Sequence, residues 1–368
     1  MDALVIRSYD DGPALERLTV DEPQAGEVLV AVAASGVCGS DIHAVHGQSN
    51  AAVLPMVAGH EGSGVVEAVG AGVTSVAPGD RVVLGAYGPC YACDACRHGR
   101  FVHCTGEARL NAIRGLMPDG TTRLRSDVGA VHPYVGIGSL AEYAVLRDAQ
   151  VVKIPDDVPL DVLALAGCAV TTGLGAVFNI ARVAPGDRVL VVGCGGVGLN
   201  VIQGSRLAGA ARVVAVDTNP ARLDLAADFG ATDLVDPAKT AIADAVAAVV
   251  PGGVDVAFEV VGNPALVAEA FEQTRGGGTC VMVGAPPPGS TIPVPASSLM
   301  FGERRLVGCL GGSNMPHRDI PRIVELYRGG RIKLDELVGE RLPLSDFARA
   351  FADTEAGKVA RCLVELGG

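Results

Sequence analysis

The 368-residue chain predicts an α/β fold in which a β-rich domain accompanies a doubly wound parallel sheet, and three observations predict it. From residue 1 to about 152, short apolar alternations are cut by glycine turns, as at residues 27–33, 64–69 and 80–84, the period-two signature of strands. From about residue 171, six compact apolar runs alternate with stretches of helical spacing. Runs such as VLVVG, VVAVD and VDVAFEVV are apolar at consecutive positions, as strands covered by helices on both faces require.

The six runs are residues 189–193, 213–217, 233–236, 254–261, 279–284 and 305–310. The helix after the second run has its own start signal, with Asn219 as N-cap and Pro220 at the first helical position. Residues 320–330 read as a short amphipathic helix, and the mixed tail 341–366 reads as rejoining the first domain. The expected organisation is therefore a first domain of residues 1–170, to which 311–368 return, and a parallel-sheet domain of 171–310.

Composition narrows the function classes. Hydrophobic residues make up 49% and charged residues 19%, a balance that excludes a disordered chain. Net charge is −12 with no basic run, so a phosphate-neutralising surface is hard to assemble and nucleic acid is not an expected partner. No basic, then apolar, leader opens the chain and no 18-residue apolar stretch follows, which points to a cytoplasmic protein without a membrane partner. In a reducing compartment, ten cysteines serve as metal ligands, catalytic groups or core residues more readily than as disulfides.

Gly193, Gly195 and Gly198, with Gly196 and Val197 between them, form GxGxxG directly after a strand and before the helical stretch 199–207. The first glycine permits the tight turn, the second lets a pyrophosphate approach the backbone, and the third allows helix and strand to pack closely. Asp217 ends the next strand, where a carboxylate accepts both ribose hydroxyls and repels a 2′-phosphate, favouring NAD over NADP. Arg222, inside the following helix, is placed to pack on the adenine or ribose edge.

Cys90, Cys93, Cys96 and Cys104 are four thiols within fifteen residues, a set that closes a tetrahedron around Zn²⁺ with no open position. Such a site holds a lobe too poor in apolar residues to fold alone. An iron–sulfur cluster is the competing reading of CxxCxxC, but no CP pair or second cluster motif accompanies it. Cys38 in GVCGSDIH, His60 in GHEG and Cys168 in AGCAVTTG form a possible Cys₂His set, which leaves a fourth zinc position for water or substrate. Taken alone, each of the three is as readily a core residue. Cys194, Cys280, Cys309 and Cys362 lie in or beside apolar strands and read as packing residues.

GVCGSDIH, GHEGSGVVEAVG, the four-cysteine lobe, GLMPDGTTRL, GSLAEYAVL, GCAVTTG and GCGGVG stand in the order and spacing of the zinc-containing medium-chain alcohol dehydrogenases, which this chain resembles along essentially its whole length, closest to their liver-type branch. The resemblance implies a GroES-like catalytic domain, completed by the C-terminal tail, and a Rossmann domain. It implies two zinc ions per chain: a catalytic one on Cys38, His60 and Cys168, and a structural one on Cys90, Cys93, Cys96 and Cys104. It further implies that Asp41 orients His60, that Glu61 is a buried acid behind the metal assisting ligand exchange, and that Ser40 takes the substrate proton and relays it through the nicotinamide ribose to His43. Thr172, Val197 and Val283 would line the nicotinamide, and Arg361 would contact the pyrophosphate.

The activity so implied is reversible hydride transfer between a primary alcohol and NAD⁺, with zinc as Lewis acid lowering the pKa of the alcohol. Ala86 and Tyr87 stand where relatives place a large aromatic wall, which suggests room for a bulky or aromatic alcohol. Gly39 stands where many relatives have a pyrophosphate-reaching Arg or His, so weaker cofactor binding is expected. The alternative activity is thiol-adduct formaldehyde oxidation, which the branch concerned performs with an arginine in the loop 105–114; Arg109 reads as out of register for it. A metal-free NADPH reductase on the same fold is opposed by Cys38, His60, Cys168 and Asp217. A nucleic-acid-binding zinc lobe, using Arg97, His98, Arg100 and His103, is opposed by the net charge. The expected assembly is a homodimer along the sheet edge near residues 305–310.

Overall fold

A computed structural model describes residues 1–367. The chain divides into two compact units, Met1–Ala169 with Asn314–Gly330 and Leu334–Gly368, and Val170–Ser313 with Arg331–Lys333.

The first unit is built on two sheets. In the larger, strands Val151–Lys153, Arg81–Leu84, Glu61–Val69, Glu27–Val37, Arg361–Glu365 and Val338–Pro343 lie side by side in that order, and Tyr143–Arg147 also pairs with Glu27–Val37. The expected strand 27–33 runs on to Val37, and 64–69 begins back at Glu61, because these extra residues pair with each other: Gly36 lies opposite Glu61 and Ser35 opposite Gly62. Across the other edge of the same strand, Val37 lies opposite Cys362. The register thereby brings His60, just before Glu61, Cys38, just after Val37, and Arg361 to one place. Leu4, Val28, Val30, Leu84, Leu146 and Val364 belong to the core of this unit and are fully buried, each contributing about 1.5–3 kcal/mol by leaving water.

In the same unit, the amphipathic helix expected at 320–330 spans Pro316–Arg328. It starts earlier because Pro316 suits the first turn, where no N–H partner is needed, and the Asp319 carboxylate accepts the Met315 N–H at 2.9 Å. The tail joins the large sheet through Arg361–Glu365, antiparallel to Glu27–Val37.

The second unit is an α/β Rossmann-type layer. Its six strands, in the order Asp233–Val235, Arg212–Val216, Arg188–Val192, Val254–Glu259, Thr274–Met282 and Arg305–Gly308, are all parallel. Val189, Leu190, Val213, Val214 and Ala257 are fully buried, which explains the unbroken apolar runs. Asn219 caps the helix Pro220–Asp228 by accepting the Ala221 N–H at 3.0 Å, and Asn263 repeats the device for Pro264–Glu272. The strand expected to reach residue 261 ends at Glu259, and that expected to reach 310 ends at Gly308. The first stops because the N–H groups of Val261, Gly262 and Asn263 turn back onto the Glu259 carboxylate.

Candidate active site and metal centres

Cys38 is the N-cap of the short helix Gly39–Val45 that directly follows the long strand. Asp41, at the third helical position, is fully buried and uses both oxygens: Oδ2 accepts the Cys38 N–H at 2.9 Å and Oδ1 lies 2.9 Å from His60 Nδ1. A carboxylate there accepts a proton on Nδ1, leaving the Nε2 lone pair of a neutral imidazole free for a metal. His60 is 4% exposed, and the Tyr134 ring packs edge-on against it with centroids 5.7 Å apart. Cys168 follows the turn Val162–Gly167. One donor atom from each of Cys38, His60, Glu61 and Cys168 falls within a 4.8 Å cluster.

Two thiols, one imidazole and one carboxyl, with the imidazole tautomer held, fit a borderline-soft divalent ion. The Cys168 thiol hydrogen-bonds to Cys38 and, with Arg361 and His60, overcomes burial to hold Cys38 well below the ordinary thiol range. Cys168 is pushed well up by that same bond and by burial. Burial opposes a charged His60, but Asp41 and Cys168 outweigh it and raise its pKa. Burial, helped by Cys38, lifts the Glu61 carboxyl to about 7 against the pull of Arg361.

Glu61, itself a member of the cluster, has no exposure; Oε1 accepts the Ala169 N–H at 3.1 Å. Gly36 must be glycine here, since a Cβ would lie 2.4 Å from Glu61 Oε2. Arg361, expected at a pyrophosphate, is 5% exposed and spends its guanidinium on Glu61, with Nε 3.2 Å from Oε2, and on Cys38 Sγ at 3.4 Å from Nη2. A buried carboxyl beside two sulfurs needs this cation more than solvent does. Ser40 and His43 are both half-buried and lie one turn apart on the Gly39–Val45 helix, the spacing that places two side chains on one face. The Ser40 carbonyl accepts from Tyr134 Oη at 3.3 Å. His46 is exposed and 3.1 Å from Glu355.

The second cluster gathers the sulfurs of Cys90, Cys93, Cys96 and Cys104, again within 4.8 Å of one another. Backbone N–H groups aim at them: Cys90 N at Cys104 Sγ (3.3 Å), Cys93 N at Cys90 Sγ (3.3 Å), Ala92 N at Cys90 Sγ (3.5 Å) and Gly106 N at Cys104 Sγ (3.4 Å). Donors converging on sulfur stabilise thiolate, the form that binds metal. Residues 105–114, expected as a loop, contain the helix Glu107–Ile113, which turns Arg109 inward to donate to the carbonyls of Val102 (2.7 Å) and Cys104 (3.3 Å). Tyr87 is half-buried, its ring centre 5.9 Å from the Arg109 guanidinium.

In the second unit, Gly195 caps the helix Gly196–Leu207 at the carboxyl end of strand Arg188–Val192. A Cβ on Gly198 would lie 1.9 Å from the Gly193 carbonyl oxygen, whereas one on Gly195 would meet nothing within 4 Å. Helix and strand therefore touch through Gly198, and the open backbone at Gly195 with the helix N-terminus fits a pyrophosphate. Asp217 is 8% exposed; Oδ2 accepts the Cys194 N–H at 2.8 Å and Oδ1 the Asn219 N–H at 2.9 Å, so the acid is fixed to the glycine turn itself. Arg222 Nη1 lies 3.9 Å from Asp217 Oδ2. Thr172 is buried in the helix Ala169–Gly175, Val197 is half-buried in the helix beyond Gly195, and Val283 follows strand Thr274–Met282. Cys194, Cys280 and Cys362 are fully buried; Cys309 is half-buried.

Sequence reasoning missed Glu259. It is fully buried, accepts three successive backbone N–H groups with its carboxylate, and accepts the N–H of Val283 (2.8 Å) and Gly284 (3.1 Å) with its carbonyl. It ties together two loops at the carboxyl end of the sheet. An acid ending an apolar strand just before a glycine, as in FEVVG, is the signal that could have found it.

The chain matches the family model described as "Alcohol dehydrogenase GroES-like domain" over residues 24–156 and that described as "Zinc-binding dehydrogenase" over 196–328. It is 39% identical to "Alcohol dehydrogenase 6" of Rattus norvegicus over 96% of this chain and 94% of that one. It is 37% identical to an S-(hydroxymethyl)glutathione dehydrogenase of Komagataella pastoris, with the same coverage of both chains. The crystal structure of benzyl alcohol dehydrogenase from Acinetobacter calcoaceticus superposes with a TM-score of 0.93 at 31% identity, covering 100% of this chain and 99% of that one. Two metal-ready cysteine clusters, a dinucleotide turn and relatives of this extent lead to one conclusion: the chain belongs to the zinc-binding alcohol dehydrogenase family, whose members are oxidoreductases.

Proposed function

We propose that this protein reversibly oxidises a primary alcohol, bulky or aromatic, to the aldehyde with NAD⁺, and that Cys38, His60 and Cys168 hold the catalytic zinc while Cys90, Cys93, Cys96 and Cys104 hold a second, structural zinc. The observation that carries the reading is the Asp41–His60 contact of 2.9 Å beside the buried Cys38 thiol and the half-buried Cys168 thiol. It prepares an imidazole nitrogen and two sulfurs on one side, and a three-residue ligand set leaves a position for substrate. Zinc bound there supplies a Lewis acid that makes the alcohol proton acidic near neutral pH.

The chain's own residues do the rest. Asp41 holds the proton on His60 Nδ1. Glu61, paired with Arg361, would assist ligand exchange at the metal. Ser40 Oγ takes the substrate proton, and His43, one turn along, passes it to solvent. The helix N-terminus after Gly195 binds the pyrophosphate. Asp217 takes the ribose hydroxyls and excludes a 2′-phosphate, with Arg222 against the adenosine edge. Thr172, Val197 and Val283 line the nicotinamide.

The second reading is oxidation of a thiol adduct of formaldehyde, favoured by the names of relatives such as the Komagataella enzyme. The inward turn of Arg109 onto Val102 and Cys104 favours the alcohol, since that guanidinium is already committed. We further propose a cytoplasmic homodimer joined along the edge strand Arg305–Gly308, near which Met300, Phe301 and Leu310 are 66%, 81% and 49% exposed. The test is kcat/KM over primary, aromatic, terpenoid and thiol-adduct alcohols with NAD⁺ and NADP⁺. Highest values for an aromatic primary alcohol with NAD⁺ support the proposal; a preference for the thiol adduct, or for NADP⁺, overturns it.

A further inference from the structure

Four arginines of the described residues are buried: Arg109, Arg123, Arg147 and Arg361. Arg123 is answered by Glu27 at 2.6 Å and Arg361 by Glu61 at 3.2 Å. Arg109 and Arg147, 8% and 6% exposed, have no ion pair with a carboxylate among the described residues. Arg109 donates to the carbonyls of Val102 and Cys104 and faces the Tyr87 ring; Arg147 donates to the Gly88 carbonyl at 2.7 Å. The Nε atom of each is buried without a hydrogen-bond partner. A buried cation without an ion pair is costly enough that folded chains rarely keep one, and here there are two.

Both lie at the four-cysteine lobe. Arg109 is bonded to the Cys104 backbone, Gly88 stands two residues before Cys90, and Arg147 is attracted by Cys104, by the neighbouring Asp148 carboxylate and by Cys90. Arg147 and Cys90 also share the wall of one surface groove. Four thiolates around a divalent ion have a net charge of −2, which two guanidinium groups cancel. The four backbone N–H donors already named supply only partial charge.

We propose that Arg109 and Arg147 are the counter-cations of the Cys90, Cys93, Cys96 and Cys104 metal site, positioning residues that balance the charge of the four sulfurs around the ion and so slow its release. The inference rests on reading those cysteines as a divalent-metal site. A thiolate cage that loses this compensation holds its ion less tightly.

The experiment takes the purified holoenzyme, counts zinc per chain, and follows zinc release to a chromogenic chelator together with the appearance of reactive thiols. Arg147→Met and Arg109→Met keep bulk and remove charge; Arg147→Lys and Arg109→Lys keep charge. The expected result is that the ion of the four-cysteine site leaves each Met variant about tenfold faster or more, with the Lys variants restoring most of the loss. Release from the Cys38 site, followed as loss of activity, stays at the wild-type rate. Release from the four-cysteine site within about twofold of wild type in both Met variants, or equal loss in the Met and Lys variants, overturns the counter-cation role. Should a Met variant fail to fold, its Lys variant decides instead: zinc release near the wild-type rate supports the role, and release as fast as from a Cys104→Ser lobe overturns it. Should Cys93→Ser leave the wild-type zinc count unchanged, the underlying metal reading fails and the arginine inference with it.

Discussion

Replacing Asp41 by Asn isolates what one buried carboxylate does for the metal. Asp41 accepts two hydrogen bonds, from Cys38 N–H and His60 Nδ1, both at 2.9 Å and both away from water. An amide of the same shape has one oxygen. If that oxygen stays on Cys38, the NH₂ faces Nδ1, which must become an acceptor; the imidazole proton then moves to Nε2, the nitrogen needed by the metal. If the amide flips, the Cys38 N–H is opposed by a donor and left unsatisfied at a cost of about 1–3 kcal/mol. Either outcome weakens zinc at the Cys38 site by about 10–100-fold, or about 1.4–2.8 kcal/mol. The assay is competition with a chelator of known affinity, with zinc counted per chain and kcat measured on the same samples. The expected variant loses one ion at chelator concentrations that leave the wild type intact, keeps the other, and loses kcat in step. Two ions held with wild-type affinity, or full kcat, would refute the argument from tautomer control.

Three further outcomes follow from the same reasoning. Ser40→Ala should lower kcat by about 10²–10⁴-fold near neutral pH and less at high pH, where the alcohol needs less help to lose its proton; a flat, wild-type pH profile would remove Ser40 from the relay. Glu259→Gln should raise the dissociation constant for NADH by about tenfold while the zinc count stays at the wild-type value, because an amide oxygen cannot accept the same three N–H groups; fluorescence titration of NADH reads it, and unchanged affinity counts against the loop-holding role. Asp255 is pushed up by burial but held at about 2 by Arg188 and Arg275. Its folded pKa is depressed, so its stabilisation of about 1–2 kcal/mol is present above pH about 4 and lost as pH falls through about 2. Asp255→Asn should therefore lower the urea midpoint at pH about 6, with the difference closing in acid; a pH-independent difference contradicts the assignment.

Much of this molecule is legible in its sequence because local rules and tertiary needs agree. The six apolar runs become six parallel strands, since a strand buried on both faces has no polar position to give. GxGxxG is readable because Gly198 has only one use: its missing Cβ is where the Gly193 carbonyl sits. The four-cysteine lobe is local in the chain, so spacing alone brings its sulfurs together. Cys38, His60 and Cys168 are far apart; along the chain only the resemblance unites them, while in space the register of Gly36 against Glu61 brings Cys38 to His60 and the Ala169 N–H on Glu61 brings in Cys168. The features that stay hidden depend on side-chain direction. Nothing in the residues around Arg109 says that its helix turns it inward, or that Arg361 spends its charge on Glu61. The strand ends at Val37 and Glu259 escape the sequence for different reasons: Val37 pairs with Cys362, far along the chain, whereas Glu259 ends its strand by turning its carboxylate onto the N–H groups of Val261, Gly262 and Asn263, a side-chain direction that apolar spacing does not encode.

The central claim is that Cys38, His60 and Cys168 hold a divalent ion with a position left for substrate. Anomalous diffraction from holoenzyme crystals across the zinc absorption edge tests it most directly. The account predicts two peaks per chain, one bonded to Cys38 Sγ, His60 Nε2 and Cys168 Sγ at about 2.0–2.3 Å and one amid the four lobe cysteines. A single peak confined to the lobe, or an ion bonded through His60 Nδ1 with Asp41 displaced, would contradict it.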